Sequence, residues 1–188
     1  MTDSGRDGGK RERLVGGARE LLHQQGVERT TLAQIAHTAD VPPGNVYYYF
    51  KTKDELVEAA IAAHAGDLEA ALAEFDGLRT PRSRLKALVR IFGAQAELAA
   101  RHGCPHGSLC QEVDKRDDEL QVAARQLIAI PLDWAERQFR ELGRRDARDL
   151  AVALMSSYQG ASLLANTFRD PDLLVREARR LERWIDTL

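Results

Sequence analysis

The sequence predicts an all-α fold, and three observations carry that prediction. Apolar residues recur at spacings of three and four along almost the whole chain; no segment alternates apolar and polar residues over strand length; and Gly, Pro and capping residues punctuate the chain at intervals of one helix. The 188 residues, 44% hydrophobic and 30% charged, suffice for one sizeable core or two small ones, which excludes a disordered tail or a peptide. No apolar run approaches the roughly 20 residues of a bilayer span. The stretch from Met1 to Lys10 carries Gly and Asp rather than an apolar signal, so a soluble, cytoplasmic protein with no membrane partner is expected. A net charge of -2 argues against a polycation that coats nucleic acid and leaves room for a local basic patch.

Taken in order, residues 1–9 read as a disordered leader. Leu14, Ala18, Leu21 and Leu22 then share one helical face, with Gly26 as a left-handed stop. Thr31 and Gln34 have the spacing of a capping box, and Leu32, Ile35, Ala36 and Ala39 form the stripe of a short second helix. Pro42 and Pro43 lack amide hydrogens and Gly44 permits unusual backbone angles, so a tight turn is expected at 41–44. A very short third helix follows, with Val46 and Phe50 four apart on its buried side. Thr52 and Glu55 cap a fourth, Ala-rich helix running toward Leu72, and Thr80-Pro81 opens a fifth that carries Leu85, Leu88, Val89, Phe92 and Ala96 to a stop near Gly103. Ser108 caps a short segment, Leu109 to Val113, ahead of a charged stretch from Asp114 to Glu119. Leu127, Ile130, Trp134 and Phe139 mark a helix kinked at Pro131 and ending near Gly143; Asp146 and Asp170-Pro171 open the last two. The total is about nine helices without repeats, divided into a helix-turn-helix domain over 10–55 and a second helical domain over 56–188.

The second and third helices make a helix-turn-helix, whose second helix enters the major groove and presents side chains to bases and phosphates. Tyr47, Tyr48 and Tyr49 are three of the chain's four tyrosines, and three hydroxyls in one turn cannot all be satisfied inside a small domain, so at least one faces outward. From Val41 to Lys53 there are two lysines and no acid, a local positive potential in a slightly acidic chain. Lys53 stands near a helix start, where a cation is mildly disfavoured, which points to an external anion such as phosphate.

Thr31-Leu32-Ala33-Gln34-Ile35-Ala36, Ala39-Asp40-Val41, Gly44-Asn45-Val46-Tyr47-Tyr48-Tyr49-Phe50 and Lys51-Thr52-Lys53-Asp54-Glu55-Leu56 together resemble the signature of the tetracycline-repressor (TetR) family, over roughly residues 10 to 60. Pro42 departs from it, standing where members often carry a Ser or Thr cap. The resemblance implies a homodimer that reads a palindromic operator in double-stranded DNA with its N-terminal domains and encloses a small-molecule effector in its C-terminal ones. By position, Tyr47 and Lys53 contact phosphates, Thr31 anchors the second helix to the DNA backbone, and Pro43, Gly44, Asn45 and Tyr48 face bases; Tyr49 is open between phosphate and packing. Val46, Phe50, Leu32, Ile35 and Leu21 are expected to be core.

The C-terminal half is less explicit. Candidate ligand contacts are the large or amphipathic residues out of place in a simple core: Phe92, Gln95, Cys110, Trp134, Met155, Tyr158 and Gln159. Apolar stripes and small residues on the last two helices suggest a dimer interface through Leu154, Ala161, Leu164, Leu181 and Trp184. The segment from Gly103 to Leu109 resembles a Gly-Cys-x-x-Gly-x-Leu element of one branch of the family. Its thiols, Cys104 and Cys110, stand open between redox or electrophile chemistry and plain packing of a tight bend. The spacing of His102, Cys104, His106 and Cys110, alternate residues without a second cluster, matches no zinc pattern, so no metal or other cofactor is expected. An enzyme using Cys104 or Cys110 with His106 as base lacks an orienting acid and an oxyanion site here, and a purely helical interaction module leaves the acid-free tyrosine helix unexplained.

Overall fold

The computed structural model describes the backbone of residues 4–114 and 119–188. Every regular element among them is helical: α1 (Ser4–Arg29), α2 (Leu32–Thr38), α3 (Pro43–Tyr49), α4 (Lys53–Asp76), α5 (Pro81–Ala94), α6 (Ala96–His102), α7 (Pro105–Val113), α8 (Glu119–Glu141), α9 (Ala147–Phe168) and α10 (Pro171–Thr187). The expected nine become ten because Gln95, at φ -88° and ψ 6°, divides the fifth helix in two. Gly93, a poor helix former, stands just ahead of that break. α8 continues through Pro131. Most of the charged stretch 114–119 lies outside the described residues.

The expected leader is largely helical, since α1 begins at Ser4; residues 1–3 lie outside the described residues. Once a helix is nucleated around Leu14, each residue added ahead of it fixes only its own backbone for one more hydrogen bond, so extension through Gly8 and Gly9 is tolerated. The other end behaves as expected: Gly26, at φ +82°, breaks the helical geometry of α1.

The chain divides into two compact units, Met1–Gly66 with Ser108–Leu127, and Asp67–Gly107 with Ile128–Leu188. This differs from a boundary at 55, because α4 runs unbroken to Asp76 and offers no break there, and because residues 108–127 return to the first unit. In that unit α1 packs on α2 and α2 on α3. Gly17 makes the first contact possible, since a Cβ there would lie 3.3 Å from both the Ala39 nitrogen and the Ile35 carbonyl oxygen. Leu14, Ala18, Leu22, Ile35, Ala36, Val46 and Phe50 are buried as expected, while Leu21 and Leu32 are half-buried. The second unit packs α10 on α5 and α9, and α6 on α9, around Leu85, Leu88, Val89, Phe92, Trp134, Phe139, Leu154, Leu174, Leu181 and Ile185.

Candidate DNA-binding surface and a buried polar cluster

The local sequence builds α2 with a defined start and stop. At its start the Thr31 hydroxyl accepts from the Gln34 amide nitrogen (3.2 Å), while the Gln34 carboxamide oxygen accepts from the Thr31 backbone nitrogen (2.9 Å). At its end Val41 N–H donates to Ala36 O (2.9 Å) and Asp40 N–H to His37 O (3.1 Å), with Asp40 left-handed at φ +50°. The reversal is therefore made at 39–41, ahead of the expected Pro-Pro-Gly turn. Pro43 is the first residue of α3, where its missing N–H costs nothing, and Gly44 lies inside that helix. Gly44 is exposed with open space where a Cβ would be, so its role is the absence of a side chain on the outer face rather than an unusual backbone angle.

α3 has two chemically distinct sides. Val46 and Phe50 are buried, and the Arg11 guanidinium lies 5.1 Å from the Phe50 ring centre. Tyr47 and Tyr48 are 58% and 70% exposed. Tyr49 is half-buried and meets Tyr48 edge to face at 5.0 Å, so it packs within this surface. Pro42 and Pro43 are exposed and Asn45 is half-exposed, so all the expected base-facing positions fall on one accessible strip. Pro42 supplies no side-chain cap to α3.

Lys53 has an internal function that its position alone did not reveal. Its Nζ donates to the carbonyls of Val27 (2.9 Å) and Thr30 (3.2 Å), satisfying carbonyls at the end of α1 from the start of α4. Two of its three N–H donors are thereby used. Thr31 is likewise engaged within its capping box yet exposed. Two further cations were missed: Lys51, whose Nζ donates to Tyr47 O (2.7 Å), and Arg13, which donates to Asp40 O (3.0 Å) and so holds the α2–α3 reversal. Lys51 sits in the acid-free run, a signal that pointed to it; the Arg13 contact is non-local and has none.

The family model for "Bacterial regulatory proteins, tetR family" matches residues 14–60, the span that builds this surface. The chain belongs to the TetR family of transcriptional regulators. It is 28% identical over 192 residues to the HTH-type transcriptional regulator TtgR of Pseudomonas putida, covering 94% of this chain and 88% of that protein. With the HTH-type transcriptional regulator BetI of Rhizobium meliloti it shares 36% identity over 83 residues, 44% of this chain and 41% of that one. Among solved structures, a regulatory protein TetR from Rhodobacter sphaeroides superposes with a TM-score of 0.79 at 27% identity, covering 92% of this chain and 96% of the other. This TetR-family chain is thus a DNA-binding regulator from a family of non-enzymes.

In the regulator's second unit, three donors converge on one sulfur. Tyr158 Oη (3.5 Å), Gln159 Nε2 (3.6 Å) and the Gly107 backbone nitrogen (3.4 Å) all reach Cys104 Sγ, which is buried. Gly107 leaves room for Gln159 here: a Cβ there would stand 2.4 Å from the Gln159 carboxamide oxygen and push it aside. Tyr158 stacks on Phe92 (centroids 3.7 Å apart, planes at 12°). Burial raises the Tyr158 hydroxyl well above its ordinary pKa, and the neighbouring Cys104 raises it further. Ser162 Oγ, four residues on, is buried without a hydrogen-bond partner among the described residues.

The expected ligand residues scatter around this cluster. Phe92, Met155 and Tyr158 are buried in the unit's core, and Gln95 and Gln159 are half-buried. Trp134 is anchored separately, its Nε1 donating to Asp76 Oδ1 (2.9 Å). Cys110 belongs to the other unit, where its thiol donates to Ala124 O (3.1 Å), so Cys104 rather than Cys110 accompanies Tyr158. Neither cysteine is in a disulfide. No group of three metal-binding side chains exists among the described residues, and none of their helices is long and apolar enough to cross a membrane.

The expected dimer residues differ in exposure within this chain. Leu154 and Leu181 are enclosed in this chain's own core, Ala161 is nearly so, and Trp184 packs against Phe139 at 5.9 Å. Only Leu164 of the five is exposed; it shares the outer side of α9 with exposed Val152, Leu163 and Phe168. α9 is apolar on two sides, so periodicity alone chose the inner one.

Proposed function

We propose that the chain is a cytoplasmic repressor that binds a palindromic operator as a homodimer and is released by a small apolar or amphipathic effector. The observation that carries the DNA half of this reading is the accessible strip of α3. Open Gly44, Asn45 and two outward tyrosines lie beside the exposed Pro43, with Lys53 as a cation for phosphate. Homodimerisation through the outer side of α9 is supported by Val152, Leu163, Leu164 and Phe168, large apolar residues that this chain leaves uncovered. Two-fold pairing sets recognition helices about 34–36 Å apart, one turn of B-DNA. Release requires an effector that prefers the state with the wrong spacing, since equal affinity for both states shifts nothing.

Selection from random duplex DNA with the purified protein, followed by sequencing, tests the reading. Enrichment of a palindrome supports it; a folded protein that retains no sequence in preference to another contradicts it. A second reading, thiol-based sensing, is favoured by the three donors on Cys104: oxidation or alkylation replaces their shared acceptor. Under that reading N-ethylmaleimide releases the operator from the wild type and leaves Cys104→Ser bound.

A further inference from the structure

We propose that Glu112 is a positioning residue for operator binding, acting through the corner that joins α1 to α2; the inference rests on the reading that α2 and α3 meet DNA. Residues 26–30 form this corner, where Gly26 interrupts the helical geometry of α1 and leaves some backbone groups to partners outside the helical ladder. The Gly26 carbonyl accepts from Thr30 Oγ1 (2.6 Å), and those of Val27 and Thr30 accept from Lys53. The Arg29 carbonyl accepts from Gln25 Nε2 (3.3 Å). The Glu28 N–H is satisfied from α7, donating to Glu112 Oε1 at 2.8 Å.

Gly26 and this carboxylate approach each other closely. A Cβ on Gly26 would stand 2.7 and 2.9 Å from the two Glu112 oxygens, and the residue's φ of +82° independently disfavours any side chain. The corner ends at Thr31, the residue that starts α2. A carboxylate from α7 on its amide and an ammonium from α4 on its carbonyls together fix where the first turn of α2 begins, and with it the register of α3. Glu112 is an acid within the DNA-binding unit, so by charge alone its removal strengthens attraction to DNA. Positioning demands the opposite for the specific site.

The test measures the ratio of operator affinity to random-duplex affinity, which does not depend on the active fraction of a preparation. Glu112→Ala is expected to lower this ratio about tenfold, by freeing the corner, with non-specific binding unchanged or stronger. Glu112→Gln keeps an acceptor oxygen and is expected to stay within about threefold of the wild type. Gly26→Ala is expected to reproduce the Ala loss, and the double variant to lose less than the product of the two, because both changes act on one contact. Lys53→Ala serves as contrast: it is expected to reduce the salt-dependence slope by about 1, whereas Glu112→Ala leaves that slope unchanged. An unchanged or improved ratio in Glu112→Ala overturns the inference, as do equal losses in Ala and Gln, or multiplying losses in the double variant. A wild type that selects no sequence refutes the DNA-binding reading itself; a wild type that selects a palindrome, with a ratio untouched by Glu112→Ala, refutes the inference alone.

Discussion

At the scale of single residues, Gly44 separates stability from function. It sits inside α3, where glycine is a poor helix former, with open space beyond its Cα. Gly44→Ala is therefore expected to stabilise the domain by about 1 kcal/mol while weakening operator binding, because the methyl group stands where a base or phosphate must approach. Thermal melting and operator titration on the same preparation check both signs; a variant that binds as well as the wild type removes Gly44 from the interface. Tyr158 carries the pH-dependent counterpart. Its folded pKa lies above the ordinary 10, so its contribution is fully present below pH 10 and is lost as the pH rises toward the folded value. Over that window it removes up to about 1.4 kcal/mol of stability per pH unit, and Tyr158→Phe is expected to flatten that part of the stability curve. Denaturant melts between pH 9 and pH 11 read this directly, and identical slopes in the two proteins refute it.

At the scale of elements, what was legible was what is local. The Thr31–Gln34 cap spans three residues, and its residue types match its geometry, so reading and structure agree. Local sequence places the reversal after α2 too late, because two prolines and a glycine outweigh an aspartate. The left-handed residue is nevertheless Asp40, stabilised by the Schellman bonds and by Arg13 reaching back from 27 residues earlier. The internal bonds of Lys53 are illegible for the same reason: its carbonyl partners lie 23 and 26 residues away and leave no trace in the helix that carries it. Asp40 yields a prediction at this scale. A non-glycine residue in the left-handed region costs about 1 kcal/mol, and the exposed Arg13–Asp40 ion pair at 3.6 Å contributes little. Asp40→Gly keeps the backbone acceptor for Arg13 and is expected to raise the melting temperature by a few degrees, a shift that calorimetry resolves. A lower melting temperature would show that the Asp40 side chain, rather than the Schellman bonds, holds the reversal.

At the scale of the whole molecule, the hard question for a sequence was which apolar surface meets a partner. α9 buries Leu154, Tyr158, Ala161 and Ala165 within its own unit and leaves Leu163, Leu164 and Phe168 64%, 49% and 67% exposed. Both sides satisfy helical periodicity, and burial alone distinguishes them. Leu164→Glu and Leu181→Ala turn this distinction into an experiment. A charge at Leu164 enters nothing that this chain packs, so the monomer is expected to melt within a few degrees of the wild type. Desolvating that carboxylate in an apolar interface is costly, so sedimentation velocity is expected to show monomers. A monomer offers one half-site contact in place of two, and operator affinity is expected to fall by orders of magnitude while random-duplex binding falls far less. Leu181→Ala leaves a cavity in the core of the second unit and is expected to cost about 2–5 kcal/mol of stability, with the folded fraction still dimeric. A Leu164→Glu protein that remains dimeric and operator-competent would move the interface off the outer side of α9. The uncovered leucines and phenylalanine would then need another partner.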